Sequence, residues 1–165
     1  MSDVTIRLAE ALDLGAINEI YNHYVLCSTC TYQTEPETMD GRRAWFESHG
    51  EKHPVTVAVD AAGQVVGWGS LSAFHKRAAY GRTVENSVYV HHDAQRRGIG
   101  RRLLADLIGR AGPAGHHTIL ALIDAEQAAS VGLHEAMGFG RVAFLREVGF
   151  KFGRWLHVIY MQRMV

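Results

Sequence analysis

Residues 88–104 of the chain read VYVHHDAQRRGIGRRLL, and they form the most informative segment of the sequence. Its first residues have high β propensity, and the apolar residues around and after the glycines return at helical spacing. The stretch therefore predicts a strand, a basic turn and the start of an amphipathic helix. Free backbone N–H groups and the helix dipole at such a start attract phosphate groups. Gly98 and Gly100 allow a pyrophosphate to approach the main chain closely, and positive charge comes from Arg96, Arg97 and Arg101.

The glycine spacing of this turn separates it from two other phosphate-binding motifs. A dinucleotide-binding G-x-G-x-x-G would need a third glycine where the chain has Leu103, and it would follow the first strand. The triphosphate-binding motif G-x-x-x-x-G-K-[ST] is absent from the sequence. Taken alone, the stretch also fits a surface turn with solvated arginines.

Hydrophobic periodicity on both sides of the turn predicts an α/β fold of layered α+β character. Strands are expected at 4–8, 55–59, 65–74, 83–91, 118–123, 139–148 and 155–161. A helix capped by Asp13 is expected to run to residue 25, a loop is expected at 149–153, and further helices are expected at 38–47, 98–110 and 128–137. The meander of three strands in the middle favours a mixed, mostly antiparallel sheet flanked by helices over a doubly wound sheet. Because no repeat or linker interrupts the pattern, residues 1–165 are expected to form one domain.

The composition argues against several classes of partner. Seventeen basic and seventeen acidic residues cancel, so no net field would draw the protein to nucleic acid or to an anionic membrane. No apolar stretch approaches the roughly 18 residues that a membrane span requires. The first residues, Met1 to Val4, lack the basic and apolar regions of a signal peptide. We expect a cytoplasmic protein without nucleic-acid or membrane partners.

Cysteine and histidine pairs in the sequence raise the question of redox or metal chemistry. Cys27 and Cys30 form a C-x-x-C that follows a predicted helix, whereas a redox pair stands at the start of one. A zinc site would need two further ligands at matching spacing. In His91-His92 and His116-His117, neighbouring strand side chains point to opposite faces, so neither pair chelates alone. We predict a structural role for the cysteines and no metal.

The turn Gln95-Arg96-Arg97-Gly98-Ile99-Gly100 resembles the Q/R-x-x-G-x-G/A signature of the GNAT acetyltransferase superfamily. The resemblance extends from Ile6 to Met161, nearly the whole chain. More narrowly, the sequence is similar to the phosphinothricin and methionine sulfone/sulfoximine N-acetyltransferases. The blocks that carry this similarity are residues 20–25 (IYNHYV), 34–36 (TEP), 83–90 (TVENSVYV), 133–139 (LHEAMGF) and 145–155 (LREVGFKFGRW).

This resemblance implies an acetyl-CoA-dependent N-acetyltransferase of the GNAT fold that acts on the α-amino group of a small amino acid or an analogue of one. The pyrophosphate would bind at the turn, to Arg96, Arg97, Gly98, Ile99, Gly100 and Arg101. The pantetheine arm would pair with the backbone of Val88, Tyr89 and Val90, and the Val88 N–H would polarise the thioester carbonyl. Gln127 stands where the superfamily usually has an asparagine that contacts the cofactor. The narrower branch is dimeric, so a homodimer is implied as well, with apolar surface from Phe150, Phe152, Trp155 and Leu156.

Acetyl transfer to an amine needs a base for the ammonium proton and an acid for the departing thiolate. The resemblance points to Glu85, three residues before Val88, as the base; the alternative is a solvent-exposed strand glutamate. Many superfamily members use a tyrosine as the acid, whereas the aligned residue here is His134, as in the phosphinothricin branch. A histidine can exchange a proton near neutral pH, and a buried histidine with structural hydrogen bonds fits the sequence as well.

The anionic end of the substrate is expected to meet a basic loop at residues 75–82. Arginine forks match carboxylate or phosphinate groups bidentately. Arg77 and Arg82 are the first candidates, followed by His75 and Lys76. The resemblance adds contacts from Glu85, Asn86 and Ser87. A solvated basic loop without a ligand is the alternative.

Two other functions stay open from the sequence. A protein or peptide N-terminal acetyltransferase on the same fold would need an open groove for an extended chain, whereas the basic loop and residues 31–36 suggest a closed polar pocket. A non-catalytic acyl-CoA-binding module would have no need of Glu85 and His134.

Overall fold

A seven-stranded sheet organises the computed structural model, which describes residues 4–165. Met1, Ser2 and Asp3, from the segment considered for a signal peptide, lie outside the described residues. The strands are β1 (Thr5–Leu8), β2 (Val55–Val59), β3 (Val65–Ala73), β4 (Thr83–Val90), β5 (Thr118–Asp124), β6 (Gly140–Lys151) and β7 (Arg154–Met164). The helices are α1 (Leu14–Cys27), α2 (Met39–Glu47), α3 (Ile99–Ala111) and α4 (Ala128–Ala136). Their order along the chain and the α/β class are as predicted.

The sheet is antiparallel except at its centre, where β4 and β5 run parallel. The strand order is β1-β2-β3-β4-β5-β7-β6. β4 and β5 pair only from Thr83 to Glu85 on one strand and from Thr118 to Leu120 on the other. On its other side β4 stays paired with β3 as far as Val90. The two parallel strands therefore separate after Glu85, and one edge of β4 is left open from Asn86 onward.

Helices cover both faces of the sheet. Leu104 and Leu107 of α3 and Val131 of α4 belong to the buried cluster on one face. Ile17 and Ile20 of α1 pack with Trp68 of β3 on the other. Glycines on β3 let α3 lie directly on the strand, since a Cβ added at Gly69 would stand 2.9 Å from Leu107 Cδ1. The helices packed on both faces hold β4 and β5 in position where the two strands separate.

Two local predictions were wrong. Asp13 precedes α1 but makes no side-chain cap, because its carboxylate accepts two hydrogen bonds from Arg7, at 2.7 and 2.9 Å. Hydrogen bonding to Arg7 holds the pKa of Asp13 below its ordinary value. The loop expected at 149–153 is a tight hairpin instead: β6 continues to Lys151 and β7 begins at Arg154. Phe152 and Gly153 turn the chain with φ of 51° and 74°.

The cysteine pair lies at the end of a helix, as predicted. Cys27 is the last residue of α1, and both cysteines are unbridged. Burial raises the pKa of the Cys30 thiol, which works against a reactive thiolate. Within residues 4–165, no helix combines the length and the apolarity that crossing a membrane requires.

Candidate active site

A cavity of about 1060 Å³ lies where β4 and β5 separate. Its walls come from the open half of β4, from β5, from the beginnings of α3 and α4, and from residues 28–33 after α1. Of the predicted site residues, those that line it are Glu85, Asn86, Ser87, Val88, Tyr89, Val90, Arg96, Gly98, Ile99, Gly100, Arg101, Gln127 and His134.

The beginning of α3 presents unused backbone donors to this cavity. Gly98 precedes the helix with φ of 76°, and no side chain caps the helix. The first helical hydrogen bond runs from Arg102 N to Gly98 O, so the N–H groups of residues 99–101 have no helical acceptor. Such a terminus favours an anion. Arg97 does not line the cavity, because its Nη2 donates to Asp93 O at 3.1 Å.

The open edge of β4 offers alternate backbone groups. His91 N donates to Val66 O, and Thr83 O accepts from Phe74 N, so the odd-numbered residues of β4 bond to β3. Backbone direction alternates along a strand, and the N–H and C=O groups of Val88 and Val90 therefore face the cleft. Two of the backbone contacts predicted for the cofactor are therefore not available. The Tyr89 backbone is used within the sheet, and Val90 O already accepts from the Tyr24 hydroxyl at 2.5 Å.

Glu85 stands at the point where the strands separate. Its side chain is half-buried and lines the cavity, and it makes no hydrogen bond or ion pair with any residue in the described part of the chain. Burial raises the pKa of Glu85 above its ordinary value. A carboxylate with a raised pKa and no partner is suited to accept a proton from a bound ammonium group.

His134 is tied to Asn86 deep in the same cavity. Its Nδ1 lies 2.8 Å from Ser130 O, so Nδ1 carries the proton and donates it to that carbonyl. Its Nε2, 3.0 Å from Asn86 Nδ2, accepts from the amide. Burial lowers the pKa of His134 and favours this neutral form. The predicted acid role needs a proton on Nε2, which this arrangement does not supply. Asn86 Oδ1 is left as a buried acceptor without a donor among residues 4–165.

A family comparison agrees with this geometry. Residues 17–139 match the model of the Acetyltransferase (GNAT) family. The chain belongs to the GNAT acetyltransferase family. It is 41% identical over 160 residues to an L-amino acid N-acyltransferase of Escherichia coli, an alignment that covers 96% of this chain and 92% of the relative.

Two further comparisons identify a narrower group of similar proteins within the GNAT family. An L-methionine sulfoximine/L-methionine sulfone acetyltransferase of Salmonella typhimurium is 41% identical over 160 residues, covering 96% of this chain and 93% of that one. The solved structure of a phosphinothricin acetyltransferase from Sinorhizobium meliloti, in complex with AcCoA, has a TM-score of 0.96 and 38% identity. That comparison covers all of this chain and 89% of the other. The predicted superfamily, fold and enzyme class are therefore confirmed.

The basic loop lies outside the cavity of this GNAT domain. His75, Lys76, Arg77 and Arg82 are exposed, and none of them lines the cavity. A short helical turn at Ala78–Tyr80 and the packing of Tyr80 on Phe74, with ring centroids 5.7 Å apart, hold the loop away from it. Within one chain the predicted carboxylate clamp is thus not assembled from this loop.

Sequence reasoning missed Arg42, a buried arginine of α2 that lines the cavity. Its guanidinium carbon is 4.7 Å from the ring centroid of Tyr21 and 4.7 Å from that of Trp45. The signal was present, since Arg42 and Trp45 are three residues apart and share one face of a predicted helix. The sequence alone does not single it out, because arginines are mostly exposed and Arg43 follows directly.

The histidine pair His91-His92 does not lie on a strand, contrary to the prediction. β4 ends at Val90, so His91 and His92 are not strand neighbours, and their rings stack with centroids 4.2 Å apart. Ligand atoms of these two histidines and of Asp93 lie within 4.8 Å of one another. The group is outside the cavity lining, and the absence of a metal stays a prediction.

Proposed function

We propose that this GNAT domain transfers the acetyl group of acetyl-CoA to the α-amino group of a small amino acid or an analogue of one, such as methionine sulfone, methionine sulfoximine or phosphinothricin. The observation that carries the proposal is one cavity that joins an anion-binding helix start, an open strand edge and the unpartnered Glu85. The names of the similar proteins support the substrate class.

The cavity fits acetyl-CoA along its length. The free N–H groups at residues 99–101, with Arg96 and Arg101, hold the diphosphate. The N–H groups of Val88 and Val90 face the cleft, where the pantetheine arm extends the sheet as an added strand does. At the thioester the Val88 N–H donates to the carbonyl oxygen, where negative charge develops. Gln127, whose Nε2 donates to Thr29 Oγ1 at 3.1 Å, borders the same arm.

Glu85 accepts the proton that the substrate ammonium must lose before it can attack. We assign His134 a positioning role: it accepts from the Asn86 amide and so leaves Asn86 Oδ1 as an acceptor for an N–H group of a ligand. Ser87 lies beside Glu85 on the cavity wall and completes the predicted contacts of β4. After the amine has attacked the thioester, its nitrogen releases a second proton, and the departing thiolate can accept that proton.

We also propose that the enzyme is a cytoplasmic homodimer, that residues 1–165 form one domain, and that it acts without a metal. Exposed apolar side chains on the β6–β7 hairpin support the dimer, among them Phe144, Phe150, Phe152 and Trp155. Leu156, expected to contribute to this surface, is buried and does not. A surface with so many apolar side chains on one hairpin is typical of an interaction site.

Release of CoA thiol from acetyl-CoA, measured with free amino acids and with short peptides, tests the proposal. We expect turnover with free amino acids such as methionine sulfone and little with peptides. Turnover with peptides alone would instead support an N-terminal acetyltransferase. Tight acetyl-CoA binding without turnover on either would support the non-catalytic module.

A further inference from the structure

Arg42 is a buried cation with almost no partners. The residue is 4% exposed, and its guanidinium lies among the rings of Tyr21, Trp45 and Trp68. The one hydrogen bond that its side chain makes to residues 4–165 runs from Nε to Asn18 Oδ1, at 3.1 Å. None of the ion pairs found within residues 4–165 involves it. Its two Nη groups therefore have no hydrogen-bond acceptor among residues 4–165.

The surroundings of Arg42 fix its orientation. Asn18 is held in turn by its own Nδ2, which donates to Glu37 O at 2.9 Å. With Nε bound to Asn18 and the guanidinium packed among aromatic rings, the free end of the fork is the Nη1–Nη2 edge. Because Arg42 lines the cavity, this edge is available to a ligand there. Burial lowers the pKa of Arg42, and the nearby carboxylate of Glu37, which forms no ion pair with it, acts in the opposite direction.

Arg42 and Glu85 lie on the same face of the sheet. Trp68 pairs with Tyr89 across β3 and β4, and Ser72 pairs with Glu85. Side chains repeat every second residue along a strand, so Glu85 is on the face that carries Trp68, against which Arg42 packs. On this face the cavity therefore presents a carboxylate and a guanidinium, neither of which forms an ion pair with a residue in the described part of the chain.

We propose that Arg42 binds the α-carboxylate of the substrate, while Glu85 receives the proton of its α-ammonium group. This inference rests on the proposed function, which it narrows to acceptors with a free carboxylate. The Nη1–Nη2 edge matches the two carboxylate oxygens, and a lysine cannot reproduce that fork. The contact replaces the clamp that was expected from Arg77 and Arg82.

The test compares L-methionine sulfone with its α-carboxamide, which keeps the amine and removes the carboxylate charge. For Arg42→Lys and Arg42→Met we expect kcat/KM for the acid to fall on the order of 100-fold. For the carboxamide it should stay within about threefold of the wild-type value, since the lost contact does not involve that substrate. Acetyl-CoA affinity should not change. Arg43→Gln is the matched control, because Arg43 is the exposed neighbour paired with Asp40 at 3.3 Å, and it should behave as wild type.

Thermal unfolding separates this role from a structural one. Arg42→Met loses the contacts with Asn18 and the aromatic rings, but it also removes the cost of burying a charge that has no ion pair, so it should melt within about 4 °C of the wild type. A larger fall, or failure to fold, would show that Arg42 is there for stability and would overturn the inference. Equal losses on acid and carboxamide, or a loss of acid preference in Arg77→Gln instead, would overturn it and leave the proposed function intact. If the wild type acetylates no free amino acid, the proposed function fails and the carboxylate contact fails with it.

Discussion

Glu85→Gln isolates the proton-accepting step. The carboxylate makes no hydrogen bond or ion pair within the part of the chain that the structure describes, so the amide removes basicity and little else. Loss of a general base costs about 10²–10⁴ in rate, or roughly 3–5 kcal/mol of barrier. We expect kcat to fall by that factor at pH 7 with acetyl-CoA affinity unchanged. Glu135→Gln, which alters an exposed carboxylate paired with Arg141, should leave kcat unchanged.

The pH dependence gives this prediction a second readout. Burial raises the pKa of Glu85, so wild-type kcat/KM should rise with pH as Glu85 ionises, above the ordinary range of glutamate. In Glu85→Gln that limb should disappear, and the rate should climb toward pH 9 as free amine accumulates without help. Rates measured from pH 5 to 9 test both points. A variant with wild-type turnover at neutral pH would refute the assignment and leave Glu85 a strand residue.

Three further outcomes follow from the structure. Gly100→Asp should fold, because the added Cβ would meet nothing nearer than Leu133 Cδ2 at 3.4 Å. Its negative charge should abolish acetyl-CoA binding, and a wild-type affinity measured by titration calorimetry would disprove the phosphate site. Burial lowers the pKa of His49, His53 and His134, so the unfolded chain takes up more protons than the folded protein below a pH of about 6.5. The free energy of unfolding should thus be smaller at pH 5.5 than at pH 7.5 in urea melts, and equal values would argue against neutral buried histidines. In sedimentation experiments the wild type should be a dimer and Trp155→Asp a monomer of about 18.3 kDa. A monomeric wild type would contradict the proposed dimer.

The fold was largely predictable because each element has a clear local signal. Leu103, Leu104 and Leu107 form the buried stripe of α3. Gly138, with φ of 83°, stops the helical backbone shortly after the last residue of α4, as its position in the sequence predicted. The predictions were wrong where a contact with a distant part of the chain replaces the expected local interaction. Asp13 bonds Arg7 of β1 instead of capping its helix. The hairpin at Phe152 and Gly153 is set by pairing of β6 with β7.

The site was predictable only as far as it lies on one continuous segment. The turn before α3 carries its own pattern, which predicted Gly98 and Gly100, whereas the roles of Glu85 and Val88 on β4 were expected from the family resemblance. Arg42 comes from a distant helix, and its role depends on aromatic rings from α1 and β3 that no local pattern connects to it. The separation of β4 from β5, which decides the backbone groups that face the cavity, is a tertiary feature as well.

The most direct test of the proposed function is the product itself. The purified protein, incubated with acetyl-CoA and L-methionine sulfone at pH 8, should release CoA thiol and form a derivative heavier by one acetyl group in equal amounts. Nuclear magnetic resonance of that product should place the acetyl group on the α-nitrogen. Thiol release without acetylated product, or no reaction across the panel of free amino acids, would contradict an amino-acid N-acetyltransferase.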